Sequence, residues 1–223
     1  MPTEKRRYLV PVLVVAALAA AVFLGTRGEG GQIGSESEFA RELLRLEEDA
    51  IPLLAKIDET QGEVSEADRK ELESFHPRLE RLLRYRQDSI AAAFLAGKVN
   101  LVLGNHLTAE KWLQQAVRNA EPRQHNLDVA DTRLEAYRLL SVLYLNQNEY
   151  DQAFKAADAA VKGRPNNPEH RIARASALVQ LNRTEEARKD LQAALQLDPA
   201  NERARGLIAF LGAETPPKRP ERR

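Results

Sequence analysis

The sequence of 223 residues contains no cysteine and only four histidines. The lack of cysteine excludes disulfides, thiolate metal sites, cysteine nucleophiles and a lipoprotein acylation site, and it suits an oxidising compartment outside the cytoplasm. The histidines are His76, His106, His125 and His170, and none of them pairs with another at the spacing of metal ligands. We therefore expect no metal and no other cofactor.

Motifs of catalysis and an excess of positive charge are also missing. The glycines in residues 28–31 have neither a strand before them nor a Lys-Ser/Thr pair after them, so they do not form a phosphate loop. No serine nucleophile elbow occurs, and 33 basic side chains balance 33 acidic ones. These absences predict that the protein is not an enzyme, takes no small-molecule substrate and binds no nucleic acid, which would need a basic face.

The longest uncharged run lies close to the N-terminus. Lys5, Arg6 and Arg7 precede residues 8–25, YLVPVLVVAALAAAVFLG. As a helix this run reaches about 27 Å, close to the thickness of the hydrocarbon core of a bilayer. By the positive-inside rule, residues 1–7 are predicted to be cytoplasmic, residues 8–25 to form a transmembrane helix in the lipid bilayer, and the rest of the chain to be extracytoplasmic, in the periplasm.

Two other interpretations of this run are a cleavable signal peptide and a buried core helix. A cleavable signal peptide could be cut after Ala19 or Ala21, although apolar residues 22–24 continue beyond both sites. A buried core helix would show a polar stripe, which this run lacks. Residues 26–35 contain four glycines and no apolar periodicity, so they are predicted to be a flexible spacer.

Residues 36–88 carry two apolar stripes at helical spacing. Ser35 and Ser65 are suitable caps for two helices, which Pro52 and Pro77 should kink or interrupt. The stripes are too short for a sustained coiled coil. This region is therefore predicted to be an N-terminal helical hairpin or a degenerate repeat.

From Ser89 onwards the chain matches itself at an interval of 34 residues. Small residues that correspond in the last two copies are Ser141 and Ala175, Ala153 and Ala187, and Ala160 and Ala194. An earlier and looser copy has Gly97, Ala109 and Ala116 in these places, with Gly104 at a turn and a longer loop at 121–129. Small side chains at such an interval let two helices approach closely and let successive pairs stack.

This pattern resembles the tetratricopeptide repeat, a helix–turn–helix unit of 34 residues. The resemblance implies an all-α solenoid with repeats within 89–200, at about 89–122, 131–167 and 168–200. A capping helix at 201–212 and a disordered basic tail at 213–223 would follow.

Local signals predict where helices begin and end inside the repeats. Thr184 is predicted to cap a second helix, Gly163 to end one, and Asn201 to start the capping helix. Arg171 departs from the family pattern, which prefers Trp at this place, and Ala157 is small where Phe is usual. We expect these departures to affect the tightness of packing and not the fold.

In tetratricopeptide arrays the first helix of each repeat lines the concave face, so the resemblance implies a protein-binding groove. The predicted groove residues are Phe94, Lys98, Leu101, Val102, Arg138, Val142, Leu145, Asn146, Ile172, Ser176, Val179 and Gln180. This lining suits an amphipathic helix or an extended peptide of a partner protein, with Lys98 and Arg138 placed to meet a carboxylate. The other interpretation is that several of these residues pack against the end cap or the N-terminal hairpin.

The chain as a whole looks like bacterial periplasmic tetratricopeptide proteins with a membrane anchor. This likeness implies a scaffold or adaptor that binds another protein in an envelope assembly. Two alternatives imply a different location of the protein, namely a mitochondrial import receptor facing the cytosol and a secreted soluble binding protein. The basic, Asn-containing clamp of chaperone-binding relatives is not reproduced, which disfavours docking of cytosolic chaperones.

Overall fold

The structure is a computed structural model that describes residues 32–59, 63–121 and 127–214, and its regular structure in these ranges is entirely helical. The helices of the described residues are α1 (Glu36–Glu59), α2 (Glu66–Ser74), α3 (His76–Tyr85), α4 (Ile90–Val102), α5 (His106–Ala120), α6 (Leu127–Asn146), α7 (Tyr150–Gly163), α8 (Pro168–Gln180), α9 (Thr184–Leu197) and α10 (Glu202–Glu214). The predicted all-α class is confirmed.

Much of the predicted membrane topology falls on residues that the structure does not describe. Residues 1–7, the predicted transmembrane helix at 8–25 and residues 26–31 of the spacer lie outside the described ranges, as do residues 215–223 of the predicted tail. Of the helices in the described ranges, none has the length and apolar character needed to cross a bilayer. Both the anchor and the tail stay predictions.

The chain divides into two compact units, with the boundary between Ala130 and Asp131, and each unit is described by itself. In the first unit α3 packs against α1, α4 packs against both of them, and α5 lies along α4. The side chains of Leu46, Leu72 and Leu82 are fully buried in this packing. Apolar side chains of α1, α2 and α3 are thus buried in the first unit.

The two prolines of the N-terminal region have different effects. Pro52 lies inside α1, which continues past it to Glu59, so the helix is not divided there. Pro77 lies in the first turn of α3, where its missing N–H costs nothing. The helical structure is interrupted at Phe75, between α2 and α3. The second predicted helix is therefore two helices.

Glu47 lies within the apolar stripe of α1. Leu43, Ala50 and Leu54 are buried at four residues before, three after and seven after it, which places all four side chains on one face of the helix. Burial raises the pKa of Glu47 to about 7. A charged carboxylate at this place costs free energy, since desolvation disfavours the charged form.

The helices of the repeats pack as closely as their small residues predict. Ala109, Ala153 and Ala187 are fully buried, and a Cβ atom at Gly97 would lie 2.6 Å from Cγ of Leu113. Such a distance is shorter than a carbon–carbon contact allows, so a side chain at position 97 would have to displace Leu113 or move α4 away from α5. The predicted close contact at this place is confirmed.

Three turns between paired helices share one backbone geometry. Gly104, Asn148 and Asn182 each have a positive φ, of 78°, 61° and 57°. The following amide donates a hydrogen bond to the carbonyl five residues before it, as from Arg183 to Leu178 at 2.9 Å. This arrangement is the Schellman motif that ends helices through a left-handed residue. Its recurrence at 148 and 182 shows the interval of 34 residues in the backbone itself.

In the second unit α8 packs between α7 and α9, and α10 packs on α9 and α8. Its core contains Ile172, Leu178, Leu191 and Leu211, each almost fully buried. On the neighbouring helix pair, Leu134 of α6 lies against Gly163 at the end of α7, which shows that these two helices run antiparallel. The unit is thus a stack of antiparallel helix pairs closed by α10.

An ion cluster connects α8 to its neighbours in addition to the apolar packing. Asp190, whose side chain is only 6% exposed, accepts hydrogen bonds from Arg174 Nε and Nη2, both at 2.7 Å, and from Arg171 Nη1 at 3.1 Å. Arg174 Nη1 also donates to Asp158 at 2.8 Å, and Lys162 lies 2.7 Å from Asp158. We call these five residues the Asp190 cluster. It occupies the place where Arg171 departs from the family pattern.

Two local predictions differ from the structure. Arg183, and not Thr184, is the residue before α9, and its side chain makes no capping hydrogen bond. The Schellman turn sets this boundary, because Arg183 supplies its last amide. Residues 127–129, predicted to be loop, belong to α6. Asn201 does start α10, since its Oδ1 accepts a hydrogen bond from the Ala204 amide at 3.1 Å.

Candidate protein-binding surface

The helices α6, α8 and α10 of the second unit lie side by side and in register. His170 Nε2, near the N-terminus of α8, lies 4.0 Å from Oε2 of Glu135, which is near the middle of α6. Glu169 of α8 in turn accepts hydrogen bonds from Asn201 at 3.0 Å and from Arg203 at 2.9 Å. Positions 135, 169 and 203 are separated by the 34-residue interval, so equivalent residues of the three helices form rows across the unit.

These rows bring together residues of the three helices that keep part of their surface exposed, although Val179 also packs against the core. This set comprises Val142, Leu145 and Asn146 of α6, Ser176, Val179 and Gln180 of α8, and Gly206 and Phe210 of α10, and we call it the parallel-helix surface. Asn146 and Gln180 are exposed, Val142, Leu145, Ser176 and Val179 are half-buried, and Phe210 is 50% exposed. None of the eight residues is charged.

Two predicted groove residues of the second unit are not available to a partner in the expected way. Ile172 is fully buried in the core, where α10 covers it, so we leave it out of the surface. Arg138 is bound to Glu135 on the same helix, with Nη2 at 2.5 Å and Nε at 2.9 Å from its carboxylate oxygens. The guanidinium of Arg138 is therefore already paired with a carboxylate of its own chain.

Phe210 of α10 is not among the predicted groove residues. Its signal was present, because adding the 34-residue interval to Val142 gives Ser176 and adding it again gives Phe210. The same step from Ile172 gives Gly206, where a Cβ atom would meet nothing within 4 Å. The helix α10 thus continues the rows of α6 and α8 and is more than an end cap.

The predicted groove residues of the first unit all lie on α4. Phe94, Lys98, Leu101 and Val102 are half-buried there. They share one helix and are described apart from the second unit.

His170 and the Asp190 cluster connect the helices of the second unit and are not part of the parallel-helix surface. His170 is buried, and its Nδ1 lies 3.1 Å from the Ala160 carbonyl oxygen, which can only accept, so this nitrogen carries the proton. Burial lowers the pKa of His170. Burial alone would raise the pKa of Asp158, but hydrogen bonds from Lys162 and Arg174 outweigh it and lower that pKa. Within the described ranges, no three His, Asp or Glu side chains are grouped to hold a metal ion.

Comparison with known families identifies the repeats. Two models of tetratricopeptide repeats match the sequence, one over residues 140–211 and the other over residues 76–123. The chain therefore belongs to the tetratricopeptide repeat family. The second match begins at the first residue of α3, ahead of the first predicted repeat. No curated protein matches the sequence significantly.

Solved tetratricopeptide structures share the fold. MamA 41-end from Desulfovibrio magneticus RS-1 aligns with a TM-score of 0.56 and 16% identity, covering 74% of this chain and 85% of that chain. A MamA RS-1 ArsTM double mutant gives the same score and identity over 74% and 84%. The Arabidopsis OM64 TPR domain aligns with a TM-score of 0.49 and 18% identity over 56% of this chain and 96% of that chain. At these identities the two MamA structures support the fold, a TPR-like α-solenoid, and nothing more specific.

Proposed function

We propose that this protein is a membrane-anchored adaptor that binds a segment of another protein on the parallel-helix surface. The observation that carries the proposal is the register of α6, α8 and α10, which aligns uncharged and partly exposed side chains on three neighbouring helices. Repeats of this family are typically protein-interaction modules without catalysis. A surface of this kind can take a helix or a peptide from a partner.

The anchor and the address of the protein rest on the sequence. The run at 8–25 and the three cations before it support a single span with the repeats on the extracytoplasmic side, where the protein would serve an envelope assembly. Alkaline washing of membranes should leave the full chain in the membrane fraction. Protease added to spheroplasts should digest the repeats, whereas protection of the repeats would contradict an outward orientation.

Binding can be tested with two substitutions that differ only in place. Leu145→Asp puts a charge on the parallel-helix surface, while Gln192→Asp puts the same charge on an exposed position of α9. The tagged full chain is crosslinked in cells, and the captured proteins are compared between the two variants and the original chain. We expect Leu145→Asp alone to lose the captured partner. Capture that survives Leu145→Asp unchanged would remove the support for this surface.

A further inference from the structure

The buried imidazole of His170 lies where three helices of the second unit come together. His170 is in the first turn of α8, and only 2% of its surface is exposed. Its Nδ1 donates a hydrogen bond to the Ala160 carbonyl of α7 at 3.1 Å, and its Nε2 lies 4.0 Å from Oε2 of Glu135 on α6. The ring thus connects α8 with α7 and approaches α6.

The repeat does not require an imidazole at this position. Subtracting or adding the 34-residue interval gives Ala136 of α6 and Ala204 of α10, and both alanines are fully buried. The helices of these repeats therefore pack around a methyl group at the equivalent places. His170 brings a titratable group into a site whose equivalents are apolar.

Only Nε2 of the ring can take a second proton, because Nδ1 already carries one. Burial, the largest influence, lowers the pKa of His170. Glu135 and the Ala160 carbonyl favour the charged ring, whereas Arg138 and Arg164 disfavour it. The Glu135 carboxylate is itself held by Arg138, whose Nε lies 2.9 Å from Oε2, so part of its attraction for the ring is already offset. The balance of these groups favours the neutral ring.

Other charges around the first turn of α8 are paired with one another. The Asp190 cluster pairs the charges that α7 and α9 bring to α8. Glu169, which precedes the ring in the sequence, accepts hydrogen bonds from Asn201 and Arg203 of α10, and Arg164 at the end of α7 is bound to Asp131. Each of these carboxylates already has a cation, and the N-terminal end of a helix disfavours positive charge. A second proton on the ring is therefore poorly compensated.

We propose that His170 makes the second unit sensitive to acid: the neutral imidazole holds the first turn of α8 against α7 and α6, and a proton on Nε2 loosens this packing. The sign follows from the lowered pKa of His170. The stability that the neutral ring provides is present above its ordinary pKa of 6.5 and is lost as pH falls below that value. Acid thus acts on α8 through one side chain that the repeat could replace by alanine.

Hydrogen exchange of the full chain near pH 7.5 and near pH 5 tests this, with labelling times adjusted for the effect of pH on intrinsic exchange. We expect the protection of peptides from α8 and from the end of α7 to fall by between about threefold and about thirtyfold on acidification. The upper limit applies because an opened histidine with a pKa of about 6.5 binds its proton about thirtyfold in excess near pH 5. Peptides from α1 are the internal reference. Their protection should not fall, because acid removes the unfavourable charge of Glu47.

Three variants separate the charge of the ring from its packing. His170→Asn keeps a hydrogen-bond donor near the place of Nδ1 and removes the titration, and His170→Ala copies the equivalent positions of α6 and α10. His106→Asn makes the same change in the first unit, at the start of α5. We expect both His170 variants to reduce the acid-induced loss in α8 to less than about twofold and His106→Asn to retain it in full. Circular dichroism near pH 7.5 checks that each variant folds.

An NMR titration of the imidazole resonances, assigned by comparison with His170→Asn, measures the same group directly in the original chain. His170 should take up its proton below the ordinary pKa of histidine. Titration at or above the ordinary value overturns the proposal, as does an acid-induced loss in α8 that His170→Asn retains unchanged. Equal protection of α8 at the two pH values in the original chain overturns it as well. If His170→Ala does not fold, the asparagine variant and the titration still decide the question.

Discussion

Replacing Asp190 with Ala is expected to destabilise the second unit by about 3 kcal/mol. The substitution removes three charge-assisted hydrogen bonds from a carboxylate that is nearly fully buried. Removing one partner of a buried ion pair typically costs about 3–5 kcal/mol, because the remaining charge stays desolvated. The lower end applies here, since Arg171 and Arg174 are each 21% exposed and Arg174 keeps Asp158.

The preceding repeat shows which residues can replace this pair. At 34 residues before Arg174 and Asp190 stand Leu140 and Ala156, and both are buried. The double variant Arg174→Leu/Asp190→Ala copies them, leaves Lys162 on Asp158 and is expected to lie within about 1 kcal/mol of the original chain, since well-packed apolar residues replace buried ion pairs at little cost. Arg174→Leu alone should also cost about 3 kcal/mol, because it leaves the buried Asp190 with Arg171 as its remaining partner, so the double variant should be more stable than either single variant.

Hydrogen exchange measured by mass spectrometry is the suitable assay, because repeat arrays need not unfold in one step. Peptides from α8 and α9 report the opening free energy at the cluster, and peptides from α1 and α3, in the first unit, serve as the internal control. Loss of protection in α8 and α9 in the single variant, with recovery in the double variant, is the expected result. A single variant within about 0.5 kcal/mol of the original chain would refute the assigned role of Asp190.

Three further substitutions have expected signs. The pKa of Glu47 is raised from 4.5 to about 7, so the free-energy cost of its charge is absent below pH 4.5 and grows as pH rises to about 7. Glu47→Gln should therefore stabilise the protein by about 2 kcal/mol near pH 8 and not near pH 4. The full pKa shift corresponds to roughly 3.4 kcal/mol, which is reduced here because the side chain is partly exposed. Ser141→Ala should raise the free energy of unfolding, measured with urea, by about 1 kcal/mol, because the buried Ser141 hydroxyl has no hydrogen-bond partner among the described residues. Ala175 shows that alanine fits the equivalent place in the next repeat. Gly97→Ala should cost about 1–3 kcal/mol through its clash with Leu113.

Matched controls separate these effects from general ones. Glu48→Gln changes an exposed neighbour of Glu47 and should leave the pH dependence of unfolding as it is. Gly212→Ala, which meets no neighbour, should stabilise α10 by about 0.5–1 kcal/mol, opposite in sign to Gly97→Ala. A stabilising Gly97→Ala would mean that α4 and α5 can separate without loss. A destabilising Ser141→Ala would mean that the hydroxyl has a partner after all.

The repeat interval predicted the parts of the fold that depend on local sequence. Small residues such as Ala153 and Ala187 repeat at 34 positions and are fully buried where helices meet. The turn at Gly104 also followed from its residue type, since glycine favours a positive φ. Positions 148 and 182 were harder to recognise, because asparagine adopts this conformation less often than glycine.

The remaining features depend on which helices pack against one another, and the sequence does not indicate this. Ile172 occupies a groove position of the repeat, but α10 packs over it, and no periodicity within α8 indicates this. The contacts of Arg174 reach 16 residues back and 16 residues forward along the chain, so helical spacing does not predict them. The pairing of Arg138 with Glu135 was accessible, since residues three apart meet on a helix surface.

Ion pairs of the second unit connect its helices to one another. The Asp190 cluster links α8 to α7 and α9, the pair of Glu169 and Arg203 links α8 to α10, and Glu135 pairs with Arg138 near the middle of α6. Stability thus depends on groups that a partner does not need to touch. Substitutions at Gly206 and Phe210 should change binding with little effect on unfolding, whereas substitutions at Asp190 should do the reverse. A partner that recognised charge would break this separation, because its ion pairs would compete with those that hold the helices together.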